Sequence, residues 1–173
     1  NKPMKKIKIQ LVLLSIGLMF LASCATANKT KMVSDRMVKD LTPGFESGDL
    51  VSNVDGLVVL LDSSSSMAGT YQDYIKFDIA KAFVRRMNNT MPPISAISGL
   101  RTFGHAPALS REQTQLFYGM TPYNRSEMNK GLSAVTPSGG PTPMTSALEG
   151  AGTDLENITG KKAIVIISDG KDL

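Results

Sequence analysis

Two stretches of the chain are uninterrupted aliphatic runs, and each leads into an aspartate. Leu57-Val58-Val59-Leu60-Leu61 ends at Asp62, and Ala163-Ile164-Val165-Ile166-Ile167 passes through Ser168 to Asp169. Runs without polar alternation predict strands buried on both faces, as in parallel sheets. Between them the period changes. Tyr71, Ile75, Ile79, Ala82, Phe83 and Met87 recur at helical spacing and predict an amphipathic helix over 72–89, stopped by Asn88-Asn89 and Pro92-Pro93. A second strand is expected over 95–104, a short one at Leu116-Phe117-Tyr118 and a helix over 126–134. Pro137-Ser138-Gly139-Gly140-Pro141 reads as a loop. Met144, Ala147, Leu148, Ala151, Leu155 and Ile158 then form a second helical stripe. Strands alternating with helices predict an α/β domain, a doubly wound, mostly parallel sheet flanked by helices, over 54–173.

The first residues read differently. Met4-Lys5-Lys6-Ile7-Lys8 is a basic start, and Leu11 to Ala22 is apolar except for Ser15 and Gly17. About twelve such residues are too few for a bilayer core, which needs roughly twenty. Residues 1–23 therefore read as a secretory signal. Its exit, Leu21-Ala22-Ser23-Cys24, resembles the lipobox of bacterial lipoproteins, in which cleavage precedes a cysteine that carries a diacylglycerol. The resemblance implies a lipid anchor on Cys24 in the bacterial cell envelope. With Ala25 next, it implies the outer membrane in double-membraned bacteria. The alternative is a plain secretory signal with an incidental cysteine. Residues 24–53 read as a tether, with one short helix at Val33, Met37, Val38 and Leu41 ahead of Pro43-Gly44.

This leader also corrects the charge. The net charge of +4 comes from Lys2, Lys5, Lys6 and Lys8, which no acid accompanies before Cys24. The remainder is balanced, fifteen basic residues against fifteen acidic, so nothing points to nucleic acid. One cysteine and one histidine exclude a disulfide framework, a cysteine cluster and a multi-histidine zinc site. With no Trp, the core must be aliphatic and Met-rich.

In open α/β sheets, ligands sit beyond the carboxyl ends of the strands. Asp62 and Asp169 lie there, Ser63-Ser64-Ser65-Ser66 follows the first, and Thr142 precedes the last helix. If the two strands are neighbours, Asp62, Ser64, Ser66, Thr142 and Asp169 converge. An all-oxygen set with two carboxylates suits Mg²⁺, with Mn²⁺ or Ca²⁺ as alternatives, and a divalent ion would remove the repulsion between the carboxylates.

Asp62-x-Ser64-x-Ser66, Gly140-x-Thr142 and Ser168-Asp169-Gly170 together resemble the metal-ion-dependent adhesion site of the von Willebrand factor A domain, a Rossmann-like fold. By that resemblance Ser64 and Ser66 coordinate the ion directly, and Thr142, Asp62 and Asp169 do so directly or through water. One position is left for a Glu or Asp of a protein partner. Ser65 stands where the family often has Gly, and Pro141 precedes the threonine. The family's sheet normally continues beyond such an aspartate, so the chain is expected to belong to a longer protein and to expose the edge of its last strand.

Each element also has a plainer reading. Asp62 is an ordinary strand end, the serines are a linker, Asp169-Gly170 is a turn, and Thr142-Pro143 is a helix N-cap followed by Pro at the first helical position. His105 reads as a surface loop residue, since no second histidine or serine elbow accompanies it. Two function classes follow. One is a non-enzymatic, lipid-anchored module that binds an acidic side chain of a protein through a divalent metal. The other is a Mg²⁺-dependent phosphotransferase or phosphatase with Asp62 as nucleophile. That second class expects an acid where Ser64 stands and a lysine upstream of the last acidic motif, a place Lys161 or Lys162 fills.

Overall fold

The structure, a computed structural model, describes residues 33, 39–105, 113–137 and 139–171. The signal, Cys24 and most of the tether lie outside the described residues. In chain order the elements are α1 (Thr42–Glu46), β1 (Gly56–Asp62), a single 3₁₀ turn (Ser65–Ala68), β2 (Thr70–Tyr71), β3 (Tyr74–Ile75), α2 (Lys76–Thr90), β4 (Ile97–Phe103), β5 (Thr114–Pro122), α3 (Arg125–Ala134), α4 (Met144–Leu155) and β6 (Lys162–Ile167).

The two aliphatic runs are neighbours. β1 pairs in parallel with β6, Leu61 opposite Ile167, and in parallel with β4, Asp62 opposite Phe103. β5 adds antiparallel to β4, so the sheet order is β5-β4-β1-β6. Every residue of β1 is buried, as its lack of alternation requires. Val59 and Leu61 pack on one face with Phe77 and Val84 of α2 and with Met128 and Leu132 of α3. Val58 and Leu60 pack on the other with Ala147, Ala151 and Leu155 of α4. The mostly parallel α/β sheet with helices on both faces is the expected architecture.

Several local expectations fail for identifiable reasons. Residues 72–75 are not helical. Gln72 and Asp73 adopt positive φ and close a small antiparallel hairpin of β2 and β3 before α2 begins. The buried residues of α2 are Phe77, Ala80, Ala82, Val84 and Asn88, and Ile75 and Met87 pack against the core, so of the expected stripe it is Phe83 that is exposed. Phe83 and Ile79 instead face a groove of about 550 Å³ whose other wall is β6. Leu148 of α4 is likewise exposed. β5 is nine residues long, far more than the three expected. The short helix expected at Val33, Met37, Val38 and Leu41 lies mostly outside the described residues, and α1 runs through Pro43 and Gly44. Proline is tolerated there because the first helical turn has no amide bond to lose. Part of the tether is docked, since Leu41 N donates to Thr90 O at 3.0 Å and Asp40 pairs with Arg125 at 3.1 Å.

β6 is an edge of the described sheet, and Ile164 and Ile166 on it are exposed. This contrast with β1 gives a stability prediction. Leu60→Ala should cost about 3 kcal/mol. Ile166→Ala, at a side chain 43% exposed, should cost under about 1 kcal/mol. Urea titration of both variants checks it, and equal losses would contradict the burial described.

Candidate metal centre

Parallel pairing of β1 with β6 puts the carboxyl ends of both strands side by side. Asp62, the last residue of β1, is fully buried. Its Oδ1 accepts from Ser64 N at 2.8 Å and its Oδ2 accepts from Ser168 Oγ at 2.6 Å. A buried carboxylate needs such donors, because losing water without replacement costs several kcal/mol.

Beyond Asp62 the chain alternates. Ser63 turns back and donates to Phe103 O at 2.8 Å, and Ser65 is exposed. Ser64 and Ser66 face the same side, their Oγ atoms 3.3 Å apart. Met67, buried in the core beneath, anchors the 3₁₀ turn that sets this alternation. Gly104 fits against Ser64 with φ +87°, and a Cβ there would lie 2.6 Å from Ser64 N. Only glycine accommodates both the left-handed backbone and that approach.

Asp169 completes the cluster. Ser66 Oγ donates to its Oδ1 at 2.9 Å, and Lys76 Nζ donates to its Oδ2 at 2.6 Å. Burial alone would raise the Asp169 pKa. The hydrogen bonds from Lys76, Ser66 and Lys171 N, with the Lys76 charge, outweigh it and hold the carboxyl below its ordinary value of 3.8.

The loop carrying Thr142 is fastened to the serine loop at two points. Ser65 N donates to Gly140 O at 2.9 Å and Gly139 N donates to Ser63 O at 3.2 Å. Thr142 itself is buried, and among the described residues its Oγ1 has no hydrogen-bond partner. The N-cap reading does not hold. Pro143 takes the cap position of α4, with no side-chain cap bond. A buried hydroxyl without a partner is costly, and a bound cation would supply one.

The donor set is two carboxylates and three hydroxyls. That chemistry fits a hard cation and excludes a soft one. No group of three or more His, Cys, Asp or Glu side chains able to hold a metal occurs among the described residues, so the hydroxyls are indispensable to any such site.

The family model for the von Willebrand factor type A domain matches residues 57–171, from the first buried strand to just past Asp169. The chain belongs to the von Willebrand factor type A family. Domains of this family act as protein-interaction or adhesion modules. Two curated relatives come from Bacillus subtilis (strain 168). The uncharacterized protein YwmD is 34% identical over 125 residues, covering 67% of this chain and 55% of its own length. The uncharacterized protein YwmC is 26% identical over 125 residues, covering 67% and 54%. This chain thus spans about half the length of the curated relatives it matches. Among solved structures, two crystal forms of proximal thread matrix protein 1 from the mussel byssus share the fold. Their TM-scores are 0.53 and 0.52 at 18% and 19% identity, covering 69% of this chain and about a third of theirs, 32% and 31%.

Of the von Willebrand residues expected from the sequence, Asp62, Ser64, Ser66 and Asp169 form one hydrogen-bonded group, and Thr142 sits on the loop fastened beside it. Two members escaped sequence reasoning. Ser168 was noted as part of the motif without its role as the donor to Asp62. Lys76 was not noted at all. Its signal was its position, a cation opening a helix, where the macrodipole disfavours positive charge. His105 is half-buried with Nε2 2.9 Å from Thr102 Oγ1, and burial lowers its pKa.

The depressed Asp169 pKa makes a signed prediction. Its stabilising contribution is fully present above the ordinary carboxyl value and is lost as pH falls through the lower, folded-state value. In chelator, Asp169→Asn should be less stable than the parent at pH 7, and the gap should shrink below about pH 4. Denaturant melts across that range check it, and a gap independent of pH would contradict it.

Proposed function

We propose that the chain is a divalent-cation-dependent binding module that captures an acidic side chain of a protein partner. Asp62, Ser64, Ser66, Thr142 and Asp169 are the residues that would hold the ion. The observation that carries this reading is the buried Thr142 Oγ1, which has no hydrogen-bond partner among the described residues and lies on the loop fastened to the serine loop. When bound, the cation would supply positive charge and an open coordination position for a carboxylate oxygen. The three hydroxyls are neutral, so only the two carboxylates offset that charge. The ion is Mg²⁺ in this reading, with Mn²⁺ or Ca²⁺ as substitutes.

The phosphotransfer alternative is poorly supported. Asp62 is fully buried, which leaves no room for a phosphoryl group in line with its carboxylate, and Ser64 stands where that class expects a second acid. Lys162 stands opposite Gly56, at the far end of the sheet from Asp62, and Lys161 Nζ donates to Asn53 Oδ1 at 2.6 Å. Neither lysine reaches the carboxyl ends of the strands.

We further infer that the module is displayed in a bacterial cell envelope on a lipid anchor at Cys24. The support is the Leu21-Ala22-Ser23-Cys24 sequence behind a basic and apolar leader.

Thr142→Val separates the readings of the threonine. Without cation it should be neutral or stabilising by up to about 1 kcal/mol, because it removes an unpaired buried hydroxyl. Its Mg²⁺ affinity should fall at least about tenfold, the order of one lost donor to a charge. Denaturant melts in chelator and calorimetric titration check both, and a large destabilisation in chelator with unchanged Mg²⁺ binding would overturn the assignment. By the same titration Asp169→Asn should weaken Mg²⁺ or Mn²⁺ binding far more than His105→Ala, and equal losses would count against the site.

A further inference from the structure

Lys76 is placed where neither a helix nor a cation site wants a positive charge. It is the first residue of the fifteen-residue α2, at the positive end of its dipole. Its amide donates to Gly69 O at 2.9 Å, which fixes the start of the helix against the end of the serine loop. Its side chain, 23% exposed, runs to Asp169 Oδ2 at 2.6 Å. The two oxygens of Asp169 are thereby divided. Oδ1 faces the serine hydroxyls through Ser66, and Oδ2 faces the ammonium. Among the described residues Asp62 has no such counter-cation, its oxygens being held by a backbone amide and the Ser168 hydroxyl.

The charge balance turns on this lysine. Asp62 and Asp169 carry two negative charges when ionised, and the three hydroxyls carry none. A divalent cation held by these residues alone would make a neutral site, and an incoming carboxylate would make it negative. With the ammonium counted, the loaded site keeps one positive charge, and an acidic group brings it to neutrality.

We propose that Lys76 is a specificity-determining residue of the cation site, lowering its affinity for the metal while giving the loaded site its preference for an acidic group. The inference rests on the cation-site reading above. The ammonium and the cation compete for the charge of Asp169, so the lysine weakens metal binding. The same positive charge favours a carboxylate on the loaded site and disfavours a neutral group of the same shape. Arginine can stand in for it because the role is charge beside one carboxylate oxygen.

The test titrates Mn²⁺ calorimetrically into the chain and into Lys76→Met, Lys76→Gln and Lys76→Arg. Acetate is then titrated into each Mn²⁺-saturated protein, with the water-proton relaxation of the bound ion as readout. Lys76→Met and Lys76→Gln should bind Mn²⁺ about tenfold more tightly and take acetate about tenfold less well, the order expected for one unit charge a few ångströms away in a partly screened site. Lys76→Arg should return both values toward the parent. A merely structural lysine would lower both affinities together, and that result overturns the proposal. So does acetate affinity that is unchanged in both neutral variants. Mn²⁺ binding by the parent with no change in any variant overturns the role of Lys76 and leaves the cation site standing. No Mn²⁺ binding by the parent overturns the site and the proposal together.

Discussion

A carboxylate with no exposure to water sits at the end of the central strand, and the top of the sheet is organised around it. Asp62 survives burial because Ser64 N and Ser168 Oγ each give it a short hydrogen bond. Those donors come from two segments a hundred residues apart, and parallel pairing of β1 with β6 brings them together. The serine loop cannot leave Asp62 without stripping a buried charge of a donor. Ser64 and Ser66 are thereby held facing Asp169. The glycine at 104, pressed against Ser64, and the buried Met67 beneath brace the same loop from two other directions. The cluster is thus fixed before any ligand arrives, which spares a ligand the cost of ordering it.

Charge is distributed unevenly over that rigid frame. One carboxylate is neutralised by dipoles, the other by the ammonium of Lys76. The hydroxyls of Ser64 and Ser66 lead from one to the other, and that of Thr142, on the adjoining loop, is left without a hydrogen-bond partner among the described residues. Such an arrangement is polar and pre-formed yet incompletely satisfied, a combination that native interiors keep for functional sites. It stands at the carboxyl ends of parallel strands, where an open α/β sheet leaves backbone and loops free to meet a ligand. Next to it, Tyr71, Ile79, Phe83 and Ile166 line an apolar groove whose floor reaches Ser168 and Asp169.

How much of this the sequence carried depends on which interactions are local. β1 and β6 were legible because five consecutive aliphatics have no other stable home than a strand covered on both faces. The α/β alternation followed from them, and so did the convergence of Asp62 with Asp169. The stripe of α2 was legible in part, at Ile75, Ala82 and Met87. Ile79 and Phe83 have the right period for a core stripe, but Phe77, Ala80 and Val84 have it too, and periodicity alone does not choose between overlapping stripes. The hairpin ahead of α2 was hidden because Gln72, beside Asp73, is an unusual residue for positive φ. Ser168 and Lys76 act through partners far along the chain, at Asp62 and Asp169, and no spacing rule reports such pairs. Thr142 was ambiguous in the sequence because Thr-Pro before a helix is also a cap. The cap position passing to Pro143 removes the cap reading.

In the proposed site, five side-chain oxygens from three separate segments would hold one hard cation. The most direct test is anomalous diffraction from a crystal of the chain soaked in Mn²⁺. The account predicts a single strong peak within about 2.5 Å of Ser64 Oγ and Ser66 Oγ, with Thr142 Oγ1 turned toward it. A fully loaded crystal with its manganese elsewhere, and Thr142 Oγ1 paired to a protein group, would contradict it.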